Sequence, residues 1–197
     1  MSQRRRRGLR LGALTAAAVI GLSLVGAGPA AAGGGHHGGG SSDPVVVAKG
    51  LNNPRQLSFT PSGELLVAEA GSGGAGPCLP GPEGEPVCFG ATGSVTKIDR
   101  RGHQWQIITG LPSIAGQGTG SQAIGPSDVH SNGRHVSVLI GLGADPAVRA
   151  TLPAPGQRMG TLIQTTKNYK TFRTIADLAA YEAKKNTLFP YRRSSDL

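Results

Sequence analysis

The stretch GSVTKIDRRGHQWQIITGL (93–111) is answered without a gap by GTLIQTTKNYKTFRTIADL (160–178). Gly93 pairs with Gly160, Val95 with Leu162, Trp105 with Phe172, Ile108 with Ile175 and Leu111 with Leu178, each 67 positions on. Unrelated loops do not keep a constant offset over a whole strand pair. Within the first copy Val95, Lys97 and Asp99 alternate with Thr96, Ile98 and Arg100, the two-residue period of a strand, and HQWQIIT supplies a second strand.

The segment before each copy repeats as well. NPRQLSFTPSGELLVAEAG (53–71) matches GPSDVHSNGRHVSVLIGLG (125–143), which has a tighter turn. Pro126 answers Pro54, Val129 answers Leu57, Gly133 answers Gly63, and Val136 with Val138 answer Leu65 with Val67. PRQLSF and GELLVAEA flank the turn residues TPSG, so they form an antiparallel hairpin. Strands are therefore expected at 55–59, 64–70, 94–99 and 103–109, and again in the second unit. Each unit carries a long loop between its second and third strands, the second being GLGADPAVRATLPAPGQRM (141–159). Four short antiparallel strands, repeated, are the signature of a β-propeller blade. The fold class is all-β, a β-propeller of six-bladed, NHL-like type, with about two blades present: 50–111 and 122–178, inside a propeller segment of 45–186. A single β-sandwich is the alternative. A ring needs at least about four blades, so two leave both outer faces uncovered. A two-blade chain is not expected to be a stable monomer.

The motifs KGLNNPRQLSFTPSGELLVAEAGSGGAGPC (49–78), GPSDV (125–129), IGLGADP (140–146) and IADLAAYEA (175–183) together resemble the ScyD/ScyE family of secreted bacterial propellers. That family is distantly similar to NHL-repeat and sorbosone-dehydrogenase-like propellers. The resemblance covers 45–186 and implies the fold and an exported location; it carries no settled reaction. Its full-length relatives imply more blades than this chain holds, so the chain is expected to be an N-terminal fragment. The last residues, TLFPYRRSSDL (187–197), resemble the translation of a sequencing adapter and are expected to be non-native.

The first residues carry a basic head (Arg4 to Arg7, Arg10), an apolar stretch and Ala30-Ala31-Ala32 before Gly33. That is a signal peptide over 1–32, cleaved between Ala32 and Gly33. The apolar stretch is short and glycine-interrupted, unlike a membrane span, so no membrane association is expected after cleavage. The arginine pairs also permit the twin-arginine route. Five of the 20 Lys and Arg lie in this leader, which leaves 15 against 11 acidic residues, a charge of +4 in place of +9. No basic cluster with interleaved aromatics survives, so a nucleic-acid partner is not expected. GGGHHGGGSSDP (33–44) is a flexible linker, and His36 and His37 lack further ligands for a metal. Cys78 and Cys88 flank a Gly/Pro-rich segment in a chain bound for an oxidising compartment, so they form a disulfide across a surface loop.

Propellers bind ligands at one mouth of the central channel, on the starts of inner strands and on connecting loops. The ligand-binding candidates on this register are Arg55 and Asp128, near Asn53 and Ser127, together with Glu69 and Asp145, which follow the second strands at equivalent places. Repeated acidic positions suit a hard cation such as Ca²⁺. The plainer reading is that Asp128 caps a turn and Arg55 pairs with a neighbouring carboxylate. No catalytic residue is assigned. Ser62, Ser94 and Ser127 lie in no Gly-Xaa-Ser-Xaa-Gly elbow, and His103, His130 and His135 are isolated. GSGGAGP (71–77) lacks the lysine of a phosphate loop and reads as a flexible insert, while TIADLAAYEAKK (174–185) reads as a short helix or turn. The expected role is binding or scaffolding of an unidentified ligand at the channel mouth. A lactonase, hydrolase or quinone-dependent oxidoreductase-like propeller is the alternative.

Overall fold

A computed structural model of the chain describes residues 44–81, 83–165 and 168–185. The leader, nearly all of the linker and the 187–197 tail lie outside the described residues. The rest is mostly β, in two antiparallel sheets.

The first sheet is built from β1 (Pro54–Phe59), β2 (Leu65–Glu69), β3 (Cys78–Pro80), β4 (Pro86–Ile98) and β5 (Gln104–Gly116). The second is a four-stranded meander of β6 (Pro126–Ser131), β7 (Val136–Ile140), β8 (Thr161–Thr165) and β9 (Phe172–Asp177). In the first sheet β1, β2, β4 and β5 pair in that order, so both sheets share one four-strand plan. Their first turns use the same device: Gly63 and Gly133 adopt φ of 77° and 83°, a region that glycine enters without steric cost.

The irregularities repeat too. The β1–β2 register slips between Pro54 and Leu57, and the β6–β7 register slips between Pro126 and Asp128. The third and fourth strands slip around Val95 in one sheet and at Leu162 in the other. Bulges bend a strand and re-aim its side chains, and both sheets carry one at these matching places.

Between β2 and β4 the sequence reading differs from the fold. The expected flexible insert is packed: Gly73 N–H donates to Ser113 Oγ at 3.0 Å, and a Cβ on Gly73 would lie 2.4 Å from the Cys88 carbonyl oxygen. Gly/Pro-rich composition looks like flexibility, but here the missing side chains let backbones approach closely. The segment goes on to an additional strand, β3, and β4 and β5 extend to 13 residues each, well beyond the expected 94–99 and 103–109. Cys78 and Cys88 stand directly opposite on β3 and β4 and are disulfide-bonded, with Cys88 fully buried. In the second sheet the corresponding insert makes two 3-10 helices, Pro146–Thr151 and Ala154–Arg158; the first packs against the segment Leu178–Lys185 and the second against the extended arm of β4 and β5. Gly156 meets Phe89 there. The segment 174–177 finishes β9, and the helix α1 (Leu178–Lys185) begins only afterwards. The Asp177 carboxylate caps it, accepting from Ala180 N–H at 2.8 Å.

One apolar core joins the sheets. Leu66, Ala68, Val95 and Ile108 of the first meet Val129, Val138, Ile140 and Ile163 of the second. β6 lies against β1 and β2, so the first strands of the two sheets run side by side.

Candidate functional site

The place where β1 and β6 begin gathers the sequence-nominated residues Asn53, Arg55, Ser127 and Asp128. Asn53 is held in the left-handed region at φ 51°, tolerable for asparagine. Its amide donates to the carbonyls of Gly71 at 2.8 Å and Gly120 at 3.0 Å. The Arg55 guanidinium donates to the Ala123 carbonyl at 2.6 Å, so its partner is a backbone oxygen and not a carboxylate. Asn53 and Arg55 thus fasten the start of the first sheet to the segment leading into the second. The half-buried Ser127 donates to the Leu139 carbonyl at 3.2 Å. Asp128 is exposed and sits on the β6 bulge, where it accepts from the following Val129 N–H at 2.8 Å; it caps no turn.

Glu69 is the residue whose setting the sequence did not convey. It is 1% exposed, at the end of β2. Oε2 accepts from Asn52 N–H at 2.5 Å, while Oε1 accepts from Ser94 Oγ at 3.2 Å and from the Thr96 hydroxyl. Gln106 Nε2 supports Ser94 in turn at 3.0 Å. A carboxylate costs several kcal/mol to bury unless its lone pairs are satisfied; here two hydroxyls and a backbone amide satisfy them. Such a group is an internal tie, with its oxygens committed to the protein.

Asp145 does not occupy the matching place in the second sheet. It is exposed and precedes the first 3-10 helix, where it accepts from Ala147 N–H at 2.8 Å. The register gives the counterpart of Glu69 as Ile140: Glu69 faces Pro54, and Ile140 faces Pro126. Likewise Thr96, 67 positions before Ile163, is polar where the second sheet is apolar. This pair of coordinated polar replacements, at Glu69 and Thr96, is the signal in the sequence that points to the buried network. Glu69 and Asp145 therefore do not act as a repeated acidic pair, and among the described residues no three His, Cys, Asp or Glu gather as a cation would need.

Perturbed carboxyls lie elsewhere. Hydrogen bonds from Lys97 and Ser62 hold Glu64 below the usual carboxylate range, and Lys97 also sits 4.9 Å over the Trp105 ring. Desolvation, the largest single influence on Asp99, pushes it up; the His103 and Arg101 N–H groups and the His103 ring together outweigh that and hold it low. The Arg149 guanidinium holds Asp177 low. The Glu64–Lys97 pair ties a turn to a strand and the Arg149–Asp177 pair an insert to a strand, while Asp99 closes the β4–β5 turn with Arg101 and His103.

Arg55 and Asp128 are exposed on neighbouring edge strands, one Arg55 nitrogen being committed to the Ala123 carbonyl and one Asp128 oxygen to Val129 N–H, so what this place offers a ligand is their remaining polar atoms. Among the described residues no helix is long and apolar enough to cross a membrane. The chain matches no protein-family model, no curated protein and no solved structure.

Proposed function

We propose that the two sheets are adjacent blades of an exported β-propeller of the ScyD/ScyE type, with a binding or scaffold role and an unidentified ligand at the channel mouth. One observation carries this reading: two meanders with bulges at the same repeat positions pack face against face with their first strands side by side. In a propeller the first strands of successive blades line the axis; on that reading Arg55 and Asp128 face the channel, and the disulfide-bearing arm is a strand extension of β3, β4 and β5 beyond the four-strand plan. The leader pattern and the Cys78–Cys88 bond support export.

Two measurements test the proposal. Expression with the leader in an exporting bacterium should yield a product beginning at Gly33; retention of residues 1–32 in the cell interior would count against export. Electron microscopy of the assembled protein should show sheets radiating from a central channel, and a closed two-sheet sandwich would overturn the propeller.

A further inference from the structure

The two sheets bury the same repeat positions unequally, and the inequality has a direction. Ile108 and Leu111 are 1% and 2% exposed beneath the second sheet, whereas their counterparts Ile175 and Leu178 are 44% and 47% exposed. On the opposite side the order reverses. Val129 and Ser131 are 2% and 7% exposed against the first sheet, and their counterparts Leu57 and Phe59 are 57% and 67% exposed. Each residue is buried where a neighbouring sheet covers it and exposed where none does.

The internal contact shows what fits such a face. Gly125-Pro126 enters a niche of the first sheet so tightly that a Cβ on Gly125 would lie 2.3 Å from the Ala70 carbonyl oxygen. One on Gly93 would lie 2.6 Å from Pro126 Cδ. The niche walls are Ala70, Gly93, Leu111 and Pro112. In the second sheet the counterparts of these walls are Gly141, Gly160, Leu178 and Ala179, and they line an open groove of about 410 Å³. The counterpart of the dipeptide that fills the niche is Asn53-Pro54. Both are fixed by the same bond, Gly125 O accepting from Gly141 N–H and Asn53 O accepting from Ala70 N–H, each at 2.9 Å. Pro54 is exposed.

We infer that a second copy of this chain docks head to tail, with Pro54, Leu57 and Phe59 of one copy entering the Gly141, Gly160 and Leu178 groove of the next. The inference rests on the blade reading, because it takes the internal sheet-to-sheet contact as its template. A second copy is the occupant because this chain carries both complementary halves, and the contact continues an interface already formed within it. Such an interface uses different patches on the two partners, so it propagates until it closes into a ring or remains an open stack.

The test is sedimentation of the purified chain, its N-terminus fixed by mass spectrometry, together with two blocked variants: L57E/F59E on the plug and I175E/L178E on the groove. The wild type should rise in mass with concentration, each variant should be monomeric alone, and an equimolar mixture of the two should form a 1:1 dimer and nothing larger. A wild type that stays monomeric at hundreds of micromolar would sink the proposal, as would association that survives both variants or a mixture that does not pair. Hydrogen exchange of the wild type, dilute against concentrated, covers the case in which a variant fails to fold. Concentration-dependent protection confined to 54–59 and 175–182 supports the docking, and protection elsewhere or nowhere overturns it. Protection of Ile114 and Ile124, which exchange backbone hydrogen bonds between the first sheet and the segment entering the second, reports the internal contact in the dilute sample by itself, so loss of the docking is told apart from loss of the blade packing.

Discussion

Arg149 grips Asp177 with both arms of its guanidinium, Nη1 to Oδ1 at 2.6 Å and Nη2 to Oδ2 at 2.9 Å. The same Nη1 reaches the Met159 carbonyl at 3.2 Å, so a single residue of the first 3-10 helix fastens the insert to the end of β9 and the start of α1. Paired N–H donors match a carboxylate better than a single ammonium does.

The sign of the pH dependence follows from that contact. Arg149 depresses the Asp177 pKa in the folded chain, so its stabilisation is complete above the ordinary aspartate value and is lost as pH falls through the depressed one. Thermal melts at neutral pH should place D177A below wild type by roughly 1 kcal/mol for the lost cap and half-exposed ion pair. The gap should close on acidification below about pH 4. A gap that persists unchanged in acid would assign the effect to packing.

The Glu69 network predicts a large penalty that a second change repairs. E69I copies the residue of the second sheet but strands Asn52 N–H and two hydroxyls, and should cost about 2 to 4 kcal/mol in urea denaturation. Adding S94A and T96V removes two of the orphaned donors and should recover most of that. Equal instability of the single and triple variants would mean the carboxylate is not held as described.

Replacing Cys78 and Cys88 by serine should lower stability by roughly 2 to 3 kcal/mol, the scale for closing a loop of about ten residues. Exchange protection should fall first in β3 and the front half of β4, because the bond joins those strands directly opposite one another. A uniform loss across both sheets would place the disulfide in the global folding unit instead.

Trp105 is the single tryptophan, so its emission reports the Lys97 contact cleanly. Protonation of Glu64, whose pKa Lys97 holds low, releases the ammonium and should shift that emission at a pH below the ordinary glutamate value. E64Q should abolish the transition and K97M should mimic its acid end, each costing less than about 1 kcal/mol.

The strand plan was legible in the sequence because a constant offset, alternating hydrophobicity and turn glycines are local signals. The nomination of Arg55 and Glu69 also came from the repeat, but their roles did not. Arg55 finds a backbone carbonyl, which has no side-chain signature, and Glu69 is buried by residues 17 to 27 positions away whose convergence no short window contains. The insert 71–77 misled for a related reason: glycine permits both mobility and close backbone packing, and only the neighbouring strands choose between them.

By itself, then, the sequence determined two matching four-strand units, their turns and a cysteine pair placed to bond, all set by period and spacing along the chain. Only the tertiary structure decided which face of each unit is covered. Burial is a relation between surfaces: Leu111 and Leu178 are the same residue at the same repeat position, and the sheet that lies over one and not the other makes the first core and the second an open groove.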